Sequence, residues 1–203
     1  MHTNSKFINL LLIIVIIFVG AKCDNDTDNV MGVPITDYYD SCMFEDYSFG
    51  QMFTIGDPND KFMITLPYDW DLRENYSDSV YGMQTGNFLS IPVDIKDRMF
   101  FMISGYSTEL SLEDYYLNEL KSFKNESNIE LQETGKTLID GVDAYWLKFS
   151  AGEKVFHLVV YIKHPELDDV YLLQASAYDT EKHDLKLCYM KQFFNSFELA
   201  QNN

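Results

Sequence analysis

The second half of the chain is a series of apolar segments, each separated from the next by a short turn signal. The segments span residues 129–139, 142–149, 154–163 and 170–178. Asp140-Gly141 and Ala151-Gly152 mark the first two turns, and His164-Pro165-Glu166 interrupts the chain before the last segment. An Asp-Gly pair between two strand-like segments is a strong signal for a tight hairpin turn. The pattern therefore predicts four consecutive antiparallel strands.

The first half of the chain predicts further strands and one helix. Residues 62–66, 79–85 and 98–105 are rich in apolar and aromatic side chains and predict strands, the first of them ended by Pro67. Ser111 stands three residues before Asp114, which is the spacing of a helix N-cap. A helix with one apolar face, ending near residues 125–128, is predicted from Leu112, Tyr116, Leu120 and Phe123.

A second helix is predicted over residues 181–199. Lys182, Lys186 and Lys191 would lie off its apolar face. That face would consist of Leu185, Cys188, Tyr189, Phe193 and Phe197. Strands grouped in runs, with the helices set apart from them, predict an α+β fold in which helices cover an antiparallel sheet.

The N-terminus has the pattern of a secretory signal. A short start containing Lys6 precedes an unbroken apolar run of 12 residues, 10–21, whereas a membrane-spanning helix needs about 20. A charged start, a short apolar stretch and small residues at its end are typical of export signals. We therefore predict a signal peptide (1–22), an acidic tether that leads into the domain (23–52), the domain itself (53–199) and a tail (200–203).

Two kinds of processing fit the end of this signal. Val19-Gly20-Ala21 suits cleavage after Ala21 and release of a secreted protein. Gly20-Ala21-Lys22-Cys23 is similar to a bacterial lipobox, in which Cys23 carries lipid, although Lys22 stands where a small residue is usual. The acidic stretch 24–29 is similar to the tract after the lipidated cysteine of some surface lipoproteins. We favour the anchored form.

The cysteine count fits the same interpretation. The three cysteines are Cys23, Cys42 and Cys188, an odd number for an exported chain. If Cys23 carries lipid, Cys42 and Cys188 remain as a candidate disulfide pair. The alternative is that Cys188 is a core residue, because it lies on the apolar face of the predicted helix and free cysteine is among the most buried residue types.

The charge balance excludes one class of partner. The chain has 32 acidic and 15 basic side chains, a net charge of −17, whereas binding of nucleic acid needs clustered Lys and Arg. Asp24, Asp26 and Asp28 have the alternating spacing that begins a calcium loop. However, Asn29 and Ile35 replace the glycine and the glutamate that complete such a loop. We predict no cofactor, with calcium as the alternative to a solvated linker.

Motifs for catalysis are absent from the sequence. His2, His157, His164 and His183 are not at metal-ligand spacing, and neither a Gly-x-Ser-x-Gly motif nor a glycine-rich phosphate loop occurs. We therefore predict a non-enzyme, with structural or surface roles for the histidines of the mature chain. A hydrolase with an unrecognised site, assembled from distant residues, is the alternative.

Aromatic side chains are concentrated near the start of the mature chain. They are Tyr38, Tyr39, Phe44, Tyr47, Phe49, Trp70, Tyr76 and Tyr81. Tyrosine and tryptophan are enriched in protein interfaces, but a domain of this size also needs them in its core. We favour core packing, and a partner surface is the alternative.

Short segments at both ends of the domain resemble a known family. The segment 62–67 followed by Trp70 is similar to the opening motif of PsbP-like domains, and 193–197 (Phe-Phe-Asn-Ser-Phe) is similar to their closing helix. The hairpin at 141–146 fits the same family, which includes DcrB-like bacterial lipoproteins and a small Ran-binding protein. The resemblance spans residues 53–199 and implies an α/β/α sandwich with a central antiparallel sheet. It implies a binding or assembly module, since the family shares no catalytic residues.

The sequence thus predicts a non-catalytic, exported and lipid-anchored PsbP-like domain that acts as a binding or assembly factor in the cell envelope. Its partner would be an envelope protein or a small ligand, and its contact with the membrane would be the lipid on Cys23. We expect an outer-membrane or surface lipoprotein; a freely secreted binding domain is the alternative.

Overall fold

The computed structural model describes residues 48–76, 80–88, 93–152, 154–178 and 182–200. The predicted signal peptide, most of the tether and the tail 201–203 lie outside these ranges. Two helices, ten strands and one 3-10 turn (Ile95–Asp97) form the described part. The helices are α1 (Leu112–Asn125) and α2 (His183–Asn195). The strands are β1 (Met52–Gly56), β2 (Phe62–Pro67), β3 (Asp71–Tyr76), β4 (Val80–Gly86), β5 (Met99–Ser107), β6 (Ile129–Ile139), β7 (Val142–Ala151), β8 (Val155–Lys163), β9 (Asp169–Tyr178) and β10 (Glu198–Leu199).

Seven strands form the main sheet, in the order β3-β4-β5-β9-β8-β7-β6, and every neighbouring pair is antiparallel. The four strands predicted in the second half of the chain are confirmed. Between β6 and β7, Asp140 and Gly141 have φ values of 50° and 74°. Positive φ at both central residues is the requirement of the tight hairpin turn that the Asp-Gly pair predicts.

The two helices cover opposite faces of this sheet. Tyr145 and Trp146 are consecutive on β7, so their side chains point to opposite faces. Tyr145 stacks on Tyr116 of α1, with ring centroids 4.8 Å apart. Trp146 belongs to the core that contains Leu187 and Phe193 of α2. The predicted α+β architecture, with helices on both sides of an antiparallel sheet, is therefore confirmed.

A small sheet of order β1-β2-β10 shares the α2 side. Phe62 of β2 packs on Tyr81 of β4 and on Tyr171 of β9, with ring centroids 5.2 and 5.3 Å apart. The small sheet therefore covers the part of this face that lies beyond α2. The sequence pattern did not predict β1, β3 or β10; β10, for example, has only two residues, and its pairing with β2 joins distant parts of the chain.

The second helix is shorter than predicted and turned about its axis. It ends at Asn195, so Phe197 lies beyond the helix, where its ring packs on Phe62 at a centroid distance of 5.1 Å. Leu185, predicted on the apolar face, is 39% exposed, whereas Lys186, predicted off that face, is buried. The predicted face is confirmed at Cys188 and Phe193, which are buried, but it was wrong at Leu185. The buried residues of the helix also include Lys186, Leu187, Met190 and Phe194, because the helix packs on both the main sheet and β2.

Buried Lys186 is accommodated by backbone carbonyl groups. Its ammonium donates to the carbonyl oxygen of Tyr178 at 3.0 Å and to that of Lys96. Since these acceptors satisfy the ammonium, the aliphatic part of the side chain can pack in the core. Lys186 thereby fastens α2 to the 3-10 turn and to the end of β9.

Among the described residues, no helix combines the length and the apolar character needed to cross a membrane.

The first helix offers a direct test of the cap predicted from sequence. Ser111 is its N-cap, and the side-chain oxygen accepts a hydrogen bond from the amide nitrogen of Asp114 at 3.0 Å. We expect Ser111→Ala to lower the free energy of unfolding by about 1 kcal/mol, because an amide of the first turn loses its acceptor. Ser122→Ala, an exposed position in the same helix, is the control and should be neutral or slightly stabilising. Urea denaturation measures both; equal losses would contradict the role of the cap.

Candidate functional site

Several sequence-predicted residues lie outside the described part of the chain. These are Cys23, Cys42 and the candidate calcium ligands Asp24, Asp26 and Asp28. Cys188 is described: it is buried on α2 and disulfide-bonded. Both other cysteines of the chain lie outside the described ranges, so the Cys42–Cys188 pairing stays a prediction, which peptide mapping under non-reducing conditions checks. Within the described ranges no group of three or more His, Cys, Asp or Glu side chains is placed to hold a metal ion.

The described part of the predicted aromatic group is largely core. Phe49 and Trp70 are buried, and their rings lie 5.4 Å apart. Both also pack on Phe193 of α2, at 4.8 and 5.5 Å. Phe49 and Trp70 are therefore core residues, as we favoured from the sequence, and not part of a partner surface.

His164 holds a turn together. The residue is 3% exposed, and its Nδ1 accepts hydrogen bonds from the amide nitrogens of Glu166 and Leu167 at 3.1 and 3.2 Å. Since Nδ1 is an acceptor, the proton is on Nε2, which donates to the carbonyl oxygen of Ala200 at 3.0 Å. This imidazole links the β8–β9 turn to the end of the chain, as expected for a structural histidine.

His157 belongs to a polar network that sequence reasoning missed. Its Nδ1 lies 2.8 Å from the Ser176 hydroxyl and 3.1 Å from the Gln174 side-chain nitrogen. The Gln174 amide also donates to Ser176 at 3.1 Å, and the ring of Phe149 stacks on the imidazole at 4.7 Å. Burial lowers the pKa of His157 to about 4. Only the strand register places these residues together, because His157 pairs directly with Ser176 across β8 and β9.

One half of the α1 side of the main sheet is not covered by any described element. α1 packs on β6, β7 and β8, whereas β3, β4, β5 and β9 extend beyond it. A row of directly opposed residues crosses these four strands, each of them at least partly exposed. The row is Arg73, Gln84, Met102 and Gln174. We call this surface the open face; a depression of about 190 Å³ on it is lined in part by Arg73, Asn75 and Gln84.

One flank of α1 borders the open face. Tyr115 lies over β8, the neighbour of β9, with its ring 6.3 Å from that of Tyr161. Burial, the Glu119 carboxylate and Tyr106 of β5 together raise the pKa of Tyr115 to about 12. On the opposite flank, a hydrogen bond with Tyr145, followed by nearby charges including Glu113, raises the pKa of Lys136 on β6. Tyr115 and Glu119 are four residues apart and therefore share a flank. That flank overlooks the open half of the sheet.

Tyr161 of β8 lies beneath the flank of α1 that carries Tyr115 and Glu119. Tyr161 of β8 is fully buried, and its ring lies 6.3 Å from that of Tyr115. Its hydroxyl is buried and has no hydrogen-bond partner in the described part of the chain. Burial, and then the Glu119 charge, raise the pKa of Tyr161 well above its usual value. We call Tyr106, Tyr115, Glu119 and Tyr161 the Glu119 cluster.

The electrostatics of Glu119 are unusual for a carboxylate. Its side chain is partly buried, and burial, followed by the charge of Glu126, raises its pKa. No Lys, Arg or His of the described residues forms an ion pair with it. The i, i+4 spacing of Tyr115 and Glu119 is visible in the sequence, but the position of Tyr161 beneath them depends on the fold. Sequence reasoning therefore missed this cluster.

No protein-family model and no curated protein sequence matches the chain. Solved structures do match. LpqN, described as involved in cell envelope biogenesis of Mycobacterium tuberculosis, has a TM-score of 0.50 and 16% identity over 83% of this chain and 98% of its own. A point mutant of Mog1 has a TM-score of 0.50 and 8% identity over 75% and 97%. PsbP of the cyanobacterium Synechocystis has a TM-score of 0.49 and 14% identity over 78% and 97%.

Since the identities are 16% or lower, the two matches with a TM-score of 0.50 establish a shared fold and no shared activity. Mog1 is the type of protein that the sequence resemblance named, since its yeast form is described as a Ran-binding protein. The PsbP-like fold predicted from the sequence is confirmed. The lipoprotein part of that resemblance stays a prediction.

The His157 network predicts a loss of stability in acid. Because burial lowers the pKa of His157 from 6.5 to about 4, the unfolded chain binds this proton first as the pH falls. Stability is therefore lost between these two pKa values, by up to about 3 kcal/mol. His157→Gln removes the titrating group, so the variant should lose less free energy of unfolding between about pH 7 and about pH 4. Urea denaturation at both pH values checks this, and parallel losses in the two proteins would contradict it.

Proposed function

We propose that this protein is an exported, non-catalytic binding module of the cell envelope and that the open face meets its partner. The observation that carries the proposal is that four adjacent strands present polar and apolar side chains on a surface that no described element covers. Gln84 can donate and accept hydrogen bonds there, whereas the Gln174 amide nitrogen is already bonded within the His157 network and leaves its side-chain oxygen as an acceptor. Met102 lies between the two glutamines in the row. A mixed surface of this kind suits recognition of a partner.

His157 and Ser176 form the one histidine–serine side-chain contact in the described ranges, and this pair is poorly suited to catalysis. Ser176 is 2% exposed, so a substrate has little access to its hydroxyl. The ring of Phe149 covers one face of His157, and an imidazole with a pKa of about 4 is a weak base at neutral pH. These features support binding over hydrolysis.

Three observations support export and a place in the envelope. The apolar run 10–21 has the length of an export signal. Cys188 is disulfide-bonded, and disulfides persist in oxidising compartments outside the cytosol. LpqN, which shares the fold at a TM-score of 0.50, is described as an envelope biogenesis protein. We place the protein in the outer membrane or at the cell surface, with an envelope protein or a small ligand as its partner.

The open face can be tested by site-specific cross-linking of the full chain in intact cells. A photo-reactive residue in place of Gln84 lies on the open face, whereas the matched one in place of Thr54 lies exposed on the small sheet. We expect a single reproducible adduct from position 84 and none from position 54, because only the first faces the partner. Equal adducts at both positions, or none at either, would overturn the assignment of this face.

Anchoring through Cys23 has a separate test. We expect the full chain to incorporate radiolabelled palmitate and the Cys23→Ala variant to lose the label, because the lipid would be attached to that thiol. Cys42→Ala is the control and should keep the label. If the parent protein is unlabelled and is released into the medium, cleavage after Ala21 and secretion replace anchoring.

A further inference from the structure

Gly82 lies inside β4 at a position where the described fold does not require a glycine. Its φ is not positive, and a Cβ atom added there would meet, among the described residues, only the carbonyl oxygen of Asn75, at an ordinary contact distance of 3.7 Å. Gly86 and Gly105 differ, because a Cβ atom would lie 3.0 Å from a backbone oxygen at the first and 3.1 Å from an aromatic ring at the second. A glycine inside a strand lowers stability and often marks a place where another molecule approaches the backbone closely.

The space above Gly82 belongs to the depression of about 190 Å³ on the open face. Asn75 of β3 lies directly opposite Gly82, and Arg73 lies directly opposite Gln84, which is two residues further along β4 and therefore on the same face. Three hydrogen-bonding side chains thus surround the glycine. Met102 of β5, opposite Gln84, supplies an apolar wall. The depression therefore has a polar rim and a floor without polar side chains.

The strands that form this face carry almost no charge. β4 and β5 contain no Asp, Glu, Lys or Arg, and β9 contains only Asp169, at its first residue. The lining of the depression includes one charge of each sign, Arg73 and Glu74. The net charge of −17 on the whole chain repels an anionic ligand. The depression therefore suits an uncharged ligand.

A polar rim around an apolar floor is complementary to a sugar ring, which has hydroxyl groups around its edge and C–H groups on its faces. The side-chain amides of Asn75 and Gln84 donate and accept, and the Arg73 guanidinium donates, so each can bond to the hydroxyl groups of a sugar. An aromatic side chain of a partner protein would offer at most one polar atom and would leave most of the rim without a partner. The number of rim groups therefore favours a sugar.

We propose that the open face binds a neutral oligosaccharide, with one sugar ring over Gly82 and between Arg73, Asn75 and Gln84. The row that begins at Arg73 ends at Gln174, three strand spacings or about 14 Å away. Further sugars of the chain extend along this row. The inference rests on the proposed binding role of the open face and names the class of its ligand.

An array of oligosaccharides tests the class of ligand. The probes are neutral hexasaccharides of glucose, mannose, galactose and N-acetylglucosamine, together with oligosaccharides of uronic acids. The full chain is applied in a detergent that has no sugar headgroup. We expect binding of at least one neutral probe and weaker binding of the uronic acids, which the negative chain repels. Absence of binding to every neutral probe, or a preference for the uronic acids, would overturn the proposal.

Two glycines of exposed strand surfaces provide matched variants. Gly82→Val fills the floor of the depression, so we expect calorimetry with the bound probe to show at least about tenfold weaker binding. Its unfolding temperature should not fall, because the space is open and valine favours strands. Gly56→Val, on the small sheet, is the control: its Cβ atom also has ordinary contacts, at 3.6 and 3.9 Å, and binding should be unchanged. Parent-like affinity of Gly82→Val, or an equal loss in Gly56→Val, would overturn the site.

The rim has a separate variant. Gln84→Met keeps the length of the side chain and removes its amide, and we expect about fivefold weaker binding with an unchanged unfolding temperature. Parent-like affinity would remove Gln84 from the proposed site.

The cross-linked adduct at position 84 distinguishes failure of the ligand class from failure of the face. We expect an adduct that periodate, which cleaves sugar rings, degrades and that protease does not shorten to the mass of the parent chain. An adduct with a second protein would overturn the oligosaccharide and leave the open face as the binding surface. Absence of any adduct would overturn both.

Discussion

The width of the seven-stranded main sheet determines how much of each face the helices can cover. Seven strands spaced about 4.8 Å apart make a sheet on the order of 30 Å wide, whereas one helix is about 10 Å across. A single helix therefore covers about two or three strands. On one face, α2 and the small sheet together cover the main sheet. Phe62, Phe101 and Phe193 pack in the layer between these elements and the main sheet. On the other face α1 covers about half of the sheet, and no described element covers the rest.

The buried lysines Lys148 and Lys186 both have partners that compensate their charge. Buried Lys148 pairs with Asp184 at 2.6 Å and lies 3.9 Å from Glu133. Buried Lys186 donates to backbone carbonyl groups. Both cations are thus compensated, as the cost of removing an ion from water requires. Glu119 is partly exposed to water and forms no ion pair with a described residue, so the fully buried cations are the ones that the described fold compensates.

A shared fold does not determine function, so the function of this chain depends on its surface residues. LpqN and Mog1 share this architecture at identities of 16% and 8%, and a fold of this kind supports unrelated roles. The core layer around Phe193 is what such a fold needs for stability. The open face and the Glu119 cluster lie on the opposite side of the sheet, where side chains can change without disturbing that layer. The partner surface that we propose therefore lies on the α1 side.

Local signals in the sequence were sufficient for the parts of the fold that depend on neighbouring residues. The Asp140-Gly141 turn set the β6–β7 register, Ser111 began α1, and the apolar run 10–21 gave the expectation of export, which the described residues do not test. Tertiary structure decided the rest, because it depends on pairing between distant segments. β10 forms only against β2, and His157 meets Ser176 only through the β8–β9 register. The buried face of α2 includes Lys186 because carbonyl oxygens of other elements accept hydrogen bonds from its ammonium. Tyr161 likewise lies beneath Tyr115 and Tyr116 only because the fold brings β8 under α1.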